Sequence, residues 1–333
     1  MNRKANRLGH CLALLLAAVL LGGCAANPAQ TGSDPSAAGR EGSTVSVPSS
    51  GTSVELPAPV TGTYDGKTVT MRYVAITDYI WPVDNLRPVI FANGYAPFYY
   101  YGKVPEEENL VGGSYLDKTG RMICEPLYKL VSRFDKNGRA LAQRKSDGVW
   151  VYLNTDGKEI GVCDDHDREW YLFNDVDDTE KTDEEGFVDG RKAVEQSEGK
   201  FVIVDKEGTV VANLPDGLME ASVKSKNLVV CKFGKQSEDG PFGKYMMIYD
   251  TAGKPLNEIK IQKISPFVGG LAPFVSDGKL GLLGIDGTII IPPTYPVNVH
   301  SYDVFELHEN LLLLNTGGRI SIVEISFVNT SSN

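Results

Sequence analysis

Several residue patterns that mark catalytic or metal-binding proteins are missing from this chain of 333 residues. It has only five cysteines and four histidines. No two cysteines have the C-x-x-C spacing of a structural zinc site, and neither an H-E-x-x-H nor a G-x-S-x-G motif occurs. We therefore expect no enzyme activity and no cofactor.

Two further absences concern membranes and nucleic acids. Beyond the first residues no apolar run approaches the roughly 18 residues that a membrane-spanning helix needs. The formal net charge is −10, and no basic stripe is present to neutralise phosphates. The sequence therefore predicts neither a further membrane-spanning helix nor a nucleic-acid partner.

Cys124, Cys163 and Cys231 are interpreted as small buried hydrophobic residues.

What is present is a repeat. A short apolar strand runs into an Asp-x-x-Gly turn and then a second strand, in copies that begin at Leu116, Leu153, Val204, Tyr249, Leu283 and Leu314. The turn glycines are Gly120, Gly157, Gly208, Gly253, Gly287 and Gly318. They are 37, 51, 45, 34 and 31 residues apart, close to the period of propeller blades. Only the fifth copy departs, with Gly284 where the others have Asp or Asn.

The turn chemistry indicates strands. A type I turn favours Asp or Asn at its first position and Gly at its fourth, and glycine adopts a positive φ at least cost. Upstream of most turns a Gly-apolar-Ala segment adds another strand, as in GGLAPFVSDGK from Gly269. We predict an all-β repeat protein of about six units, either a propeller-like closed ring or an open β-solenoid. The last copy is one strand short, and residues Thr68 to Ile76 are placed to supply it.

The repeat resembles the WG-repeat (KWG-type) family of bacterial proteins. The segment GLAPFVSDGKLGLLGIDGTIIIPPTY from Gly270 follows the order of that family's consensus, with Leu280-Gly281 in place of the signature Trp-Gly. The resemblance covers about residues 90 to 325. It implies a β-repeat architecture with an interaction role and no shared active site.

The N-terminus has the pattern of a bacterial lipoprotein signal. Arg3, Lys4 and Arg7 precede an apolar run that is too short to span a bilayer and ends in Leu21-Gly22-Gly23-Cys24, a lipobox. Cleavage before Cys24 leaves that cysteine to carry the lipid. We expect residues 1–23 to be a signal peptide and the mature chain to be lipid-anchored on the extracytoplasmic face of the bacterial cell membrane.

The remaining boundaries follow from composition. Residues 24–57 comprise the lipidated cysteine and a Ser/Gly/Pro/Ala-rich stretch with few large apolar side chains, which indicates a flexible tether. Residues 58–328 are long enough for one large β domain. Residues 329–333 form a tail.

An acidic segment interrupts the repeat between its second and third copies. Residues 164–185 contain eleven acidic residues against Arg168 and Lys181, and we interpret them as a solvated loop insertion. Three carboxylates within it have spacing that suits a hard cation, namely Asp175, Asp177 and Asp178. An EF-hand register from Asp175 puts Glu180 where the turn glycine belongs, so no metal site is predicted.

Three classes of function remain. The first is a tethered module that binds another envelope protein without catalysis. The second is a glycan or peptidoglycan binder, for which three aromatic groups are candidates: Trp81 with Tyr79, the run Phe98 to Tyr101, and Trp170 with Tyr171. The third is an envelope enzyme. We favour the first, because repeat arrays mostly bind rather than transform.

Overall fold

A computed structural model describes residues 55–80, 90–100, 112–165, 182–234, 244–298 and 306–329, all within one compact unit of residues 47–333. Every paired strand in these ranges is antiparallel to its neighbour, and no helix occurs among them. The described residues thus contain no helix that is long and apolar enough to cross a membrane. The prediction of an all-β repeat protein is confirmed.

The described residues form twenty strands. In chain order they are β1 (Val60–Tyr64), β2 (Lys67–Ile80), β3 (Tyr95–Tyr100), β4 (Gly112–Asp117), β5 (Tyr128–Val131), β6 (Arg139–Arg144), β7 (Trp150–Asn154), β8 (Glu159–Val162), β9 (Lys192–Ser197), β10 (Lys200–Val204), β11 (Val210–Asn213), β12 (Leu218–Ser225), β13 (Leu228–Phe233), β14 (Tyr245–Tyr249), β15 (Lys263–Ile264), β16 (Leu271–Ser276), β17 (Lys279–Gly284), β18 (Ile289–Pro296), β19 (Leu311–Thr316) and β20 (Arg319–Asn329).

The strands group into six repeat units, which we number along the chain. Unit 1 contains β3 and β4, unit 2 contains β5 to β8, and unit 3 contains β9 to β11. Unit 4 contains β12 to β14, unit 5 contains β15 to β18, and unit 6 combines β19 and β20 with β1 and β2. A single residue pair, Gly113 opposite Tyr128, joins units 1 and 2 into one six-stranded sheet.

Each unit is built around a hairpin of two central strands, for example β16 and β17 in unit 5. We call the turn before the first central strand the lead-in turn and the turn after the second one the exit turn. Because a hairpin reverses the chain, both turns lie at the same end of a unit, here named the turn end. The hairpin loops that the structure describes, in units 2, 3, 5 and 6, lie at the opposite end, the hairpin end.

The exit turns have the predicted chemistry. In unit 1 the amide of Gly120 donates to the carbonyl of Asp117 at 2.9 Å, and Oδ1 of Asp117 accepts from the amides of Thr119 and Arg121. Units 2 to 5 close their exit turns with the same glycine amide bond. All six repeat glycines have a positive φ, between 73° and 87°.

The sixth copy of the repeat was assigned to the wrong turn. Gly318 does not follow the second central strand. It lies in the hairpin loop between β19 and β20, where Thr316 pairs with Arg319. Unit 6 needs no exit turn, because the strand beside β20 comes from the other end of the chain.

That strand is β2, as the sequence predicted. Thr68 lies opposite Val328, and Ile76 lies opposite Ser321, within a ladder that runs from Lys67 to Ile80. The N-terminal and C-terminal strands of the domain are therefore hydrogen-bonded in one sheet, which is how a ring of repeats joins its ends.

Apolar clusters connect neighbouring units. One cluster joins Leu313 of unit 6 to Phe98 of unit 1, and others join units 1 and 2, 3 and 4, 4 and 5, and 5 and 6. Within the described ranges no cluster spans units 2 and 3, where Ile160 and Val162 of β8 are more than half exposed. Ring closure at this junction stays a prediction.

Two further turns of the same chemistry escaped the sequence analysis. Asp135 to Gly138 forms the lead-in turn of unit 2, and Asp183 to Gly186 precedes unit 3. The second includes the last residues of the predicted acidic insertion, and Asp183 is paired with Lys206 at 2.7 Å. The repeat therefore resumes inside the segment that was interpreted as a loop.

Candidate binding cavity

A cavity of about 680 Å³ opens at the turn end of units 3, 4 and 5. Its size falls in the range of small-molecule and peptide sites. Its lining comes mainly from the lead-in turns of the three units and the exit turn of unit 5, together with the end of β12 and Phe267. It consists of Val188, Asp189, Val223, Lys224, Ser225, Lys226, Asn227, Phe267, Gly269, Gly270, Ile285 and Asp286.

The lead-in turns of units 3 and 5 have the same backbone. Val188 pairs with Arg191, and Val268 pairs with Leu271, each around two residues with positive φ. Those residues are Asp189 and Gly190 in unit 3. Two-residue turns of this kind require positive φ at both central positions and favour Asn, Asp and Gly there. The Asp-Gly and Gly-Gly sequences thus dictate these turns locally.

Side-chain bonds hold the three units together around the cavity. Oδ2 of Asp189 accepts from the backbone amide of Lys226 at 2.9 Å, which links units 3 and 4. Oγ of Ser225 donates to the carbonyl of Ile285 at 2.8 Å, which links units 4 and 5. The walls are therefore fixed by bonds between units rather than within one repeat.

The cavity carries charges of both signs, from Lys224, Lys226, Asp189 and Asp286. Both carboxylates are engaged in turn bonds. Asp189 binds the Lys226 amide, and the carboxylate of Asp286 accepts from the backbone amide and the hydroxyl of Thr288 at 3.0 Å each. Burial, and then the nearby Asp286, raise the pKa of Tyr64, which packs on this exit turn.

These groups suit reversible binding. The described lining offers ammonium groups, an amide and turn N–H groups, beside apolar walls from Val223 and Phe267. Neither histidine nor cysteine lines the cavity within the described ranges. The hydroxyl of Ser225 donates to the carbonyl of Ile285 and not to an imidazole or carboxylate that could accept its proton.

Most other predicted site residues lie elsewhere. Cys24, the tether before residue 55, and the candidate cation ligands Asp175, Asp177 and Asp178 lie outside the described residues. Among the residues that the structure describes, no group of His, Cys, Asp and Glu is arranged to hold a metal ion. None of the six repeat glycines predicted from the Asp-x-x-Gly pattern lines the cavity.

Of the aromatic candidates for glycan binding, Tyr79 and Phe98 are described and do not line the cavity. Phe98 is 1% exposed and belongs to the core cluster between units 6 and 1. Tyr79 lies beside it, with ring centroids 5.4 Å apart. Trp81, Tyr101, Trp170 and Tyr171 lie outside the described residues.

The three cysteines of the domain are unpaired thiols. Cys163 and Cys231 are buried, and Cys124 is partly buried. Burial raises the pKa of Cys231 to about 12 and also raises the pKa of Cys124, whose sulfur lies 3.4 Å from Oγ of Ser114. The raised pKa values keep the thiols of Cys124 and Cys231 protonated near neutral pH, and the protonated form is the unreactive one.

Sequence reasoning missed the cavity itself. The segment from Gly269 was predicted to be part of the repeat, but nothing in the sequence marked it as a neighbour of the turns at Asp189 and Lys226. Lys226 could have drawn attention to this region. It is the first central residue of the unit 4 turn, and it is a cation at the position where units 3 and 6 have the acidic residues Asp189 and Glu309.

A family model described as "WG containing repeat" matches residues 114–150 and 246–279. These segments lie in units 1 and 2 and in units 4 and 5. They contain the exit turns of units 1 and 4, Asp117 to Gly120 and Asp250 to Gly253, and the second match ends within the segment from Gly270 that resembles the WG-repeat consensus. No curated protein matches the chain in sequence.

The solved structures that match this chain include a streptogramin B lyase, at 12% identity and a TM-score of 0.29 over 78% of this chain and 98% of that one. The virginiamycin B lyase from Staphylococcus aureus is 11% identical, with a TM-score of 0.28, over 78% of this chain and 99% of that one. The Pan2 WD40 domain of Neurospora crassa is 11% identical, with a TM-score of 0.27, over 81% of this chain and 88% of that one. Similarity at this level assigns neither a reaction nor a ligand to this chain.

Proposed function

We propose that this chain, which carries WG-type repeats in its two matched segments, is a membrane-tethered, extracytoplasmic binding module of the bacterial cell envelope and not an enzyme. Its partner in this proposal is an envelope protein, held at the turn end by the cavity of units 3 to 5. The anchor is the lipid on Cys24, followed by the flexible stretch to residue 57.

One observation supports the proposal: the cavity lies at the turn end, and Ala58, the first residue after the proposed tether, is bonded near the opposite end. The hydroxyl of Tyr295 donates to the carbonyl of Ala58 at 2.7 Å. Tyr295 precedes Pro296, which pairs with Lys279 beside the hairpin loop of unit 5. A tether that ends at residue 57 would join the domain near the hairpin end and leave the cavity at the turn end accessible to a partner.

The experiment is capture of the partner in the native envelope. Crosslinking of intact cells, purification of the anchored chain and identification of the bound proteins should give a partner that is lost in Val188→Trp, because a large ring there fills part of the cavity. Val194→Trp is the matched control, since Val194 is an exposed valine of the same unit and does not line the cavity.

Two results would contradict the proposal. One is equal capture by both variants, which would place the contact away from the cavity. The other is the absence of any protein above the background of cells that lack the chain. Retention on purified peptidoglycan, sensitive to Val188→Trp, would instead support the glycan-binding alternative.

A further inference from the structure

The domain contains its own example of carboxylate binding at a lead-in turn. Glu309 of unit 6 reaches the lead-in turn of unit 1. Its Oε1 accepts from the backbone amide of Asn93 at 2.5 Å, and its Oε2 accepts from the amide of Gly94 at 2.6 Å. Two successive N–H groups of one turn thus hold both oxygens of one carboxylate, the arrangement known as an anion-binding nest.

The lead-in turn of unit 5 repeats that backbone. Asn93 and Gly94 have φ of 54° and 80°, and Gly269 and Gly270 have φ of 59° and 82°. The flanking residues exchange the same pair of backbone bonds in both turns. Among the described residues, however, the N–H groups of Gly269 and Gly270 have no acceptor.

The difference lies in the preceding unit. Glu309 is the first central residue of its own turn and contacts the turn of the next unit, and Asp189 does the same when it binds the Lys226 amide. In unit 4 this place is occupied by Lys226, a cation. Lys226, Gly269 and Gly270 all line the cavity.

We propose that the cavity binds a carboxylate, with its oxygens on the N–H groups of Gly269 and Gly270 and its charge balanced by the ammonium of Lys226. The ligand takes the place that Glu309 has at unit 1. This assignment rests on the proposed binding function, which it makes more specific. Charge-assisted hydrogen bonds of this type are about twice as strong as neutral ones.

The walls define what lies beside the carboxylate. Val223 and Phe267 are 6% and 7% exposed, and Val188 and Ile285 are partly buried, so an apolar surface adjoins the turn. An apolar side chain next to a carboxylate is the chemistry of a peptide that ends in an apolar residue. Capture of a C-terminal carboxylate in a backbone nest is a recurring mode of peptide recognition.

The two acidic residues of the lining do not occupy the proposed site. Asp189 is bonded to the Lys226 amide and Asp286 to Thr288. The first bond holds the Asp189 carboxylate against the unit 4 turn, and the second holds the Asp286 carboxylate within its own turn.

The test is an amide titration on the full chain labelled with ¹⁵N-glycine. The probe is N-acetylleucine, and N-acetylleucinamide is the neutral molecule of the same shape. We expect the acid to shift the Gly269 and Gly270 amide signals and the amide to leave them in place. Gly269→Asn identifies the first signal while keeping the turn, because Asn93 occupies that place in unit 1.

The decisive variant is Lys226→Glu, which puts a carboxylate at the first central position of the unit 4 turn, the position that Asp189 and Glu309 hold in the turns of units 3 and 6. It should occupy the Gly269 and Gly270 amides itself and weaken N-acetylleucine binding by about tenfold or more, the equivalent of one charge-assisted bond. Lys226→Gln should weaken it less. Lys200→Glu makes the same charge change on an exposed lysine at the hairpin end and should leave binding unchanged.

Equal shifts by acid and amide, or unchanged binding in a folded Lys226→Glu variant, would overturn the carboxylate assignment. Binding of glucuronate as tight as that of N-acetylleucine would overturn the peptide assignment. These failures differ from failure of the binding module itself, which is measured by loss of the crosslinked partner in Val188→Trp. If a partner is captured but no acid-specific shifts occur, the proposed binding function stands and only the carboxylate assignment fails.

Discussion

The ring of Tyr64 occupies the space that a side chain at residue 284 would need: a Cβ added to Gly284 would lie 2.5 Å from Cε2 of Tyr64. Tyr64 ends β1 in unit 6, and Gly284 begins the exit turn of unit 5. The fifth copy therefore has glycine where the others have Asp or Asn. Its turn still closes, because the Gly287 amide donates to the Gly284 carbonyl at 2.9 Å.

Restoring the repeat consensus at this position should destabilise the protein. We expect Gly284→Asp to lower the free energy of unfolding by roughly 1–3 kcal/mol, the usual result of overpacking. In a Tyr64→Ala background the same change should have a smaller effect, because the ring is gone. Urea denaturation of the two single variants and the double variant measures this coupling, and strictly additive losses would contradict the contact.

The exit-turn glycines should differ in sensitivity although their backbones agree. Gly208 and Gly253 have φ of 79° and 81°, but a Cβ at Gly208 meets open space, whereas one at Gly253 overlaps the carbonyl oxygen of Asn213 in unit 3. We expect Gly208→Ala to lower the free energy of unfolding by roughly 1 kcal/mol and Gly253→Ala to lower it by about 3 kcal/mol. The second loss is larger because the backbone of Asn213 cannot easily move away from the added Cβ. Denaturant midpoints compare the pair, and equal losses would show that φ alone decides.

The lipobox leads to a prediction about location. Cys24→Ala should move the chain out of the membrane fraction and abolish incorporation of labelled palmitate, because the thiol that accepts the lipid is gone. Fractionation and labelling of parent and variant measure both effects. Identical behaviour of the two chains would refute the anchor.

The acidic insertion should be dispensable up to Asp183. Replacing residues 166–181 by a short Gly-Ser linker should leave the β signal in circular dichroism intact, because changes in loop length cost little. Replacing residues 166–186 should lower the melting temperature further, since it removes the Asp183 turn and its ion pair with Lys206.

Millimolar calcium should shift the melting temperature by less than about 2 °C, whereas a cation site occupied at 100 times its Kd would add about 2.7 kcal/mol to the stability. A calcium-dependent rise that the shorter replacement abolishes would establish a cation site.

Cys231 should make stability fall in alkaline solution. Burial raises the pKa of this thiol from about 9 to about 12, so the folded state keeps a proton that the unfolded state releases. The resulting stability is complete below pH 9 and is lost as pH rises towards 12, at up to about 1.4 kcal/mol per pH unit. Cys231→Ala should flatten this part of the pH profile. Iodoacetamide should leave Cys231 unmodified at pH 8 unless the domain unfolds, and rapid native alkylation would contradict its burial.

Local sequence was sufficient for the units and for one long-range pairing. Asp117 and Gly120 specify their turn because its bonds lie within four residues. Residues Thr68 to Ile76 were identified as a missing strand because the last copy lacked one. The sixth copy was misplaced because Asn315 to Gly318 resembles an exit turn locally, and only the pairing of Thr316 with Arg319 shows a hairpin loop.

The sequence by itself determined that the chain is a β-repeat protein, because turn formation and strand patterning depend on neighbours a few residues apart. Tertiary structure alone decided the rest. The cavity exists because turns that begin at Val188, Ser225 and Val268 are brought together by bonds between units. Tyr64 reaches Gly284 because β1 and β2 complete unit 6 from the far end of the chain, a contact across more than two hundred residues that no local pattern encodes.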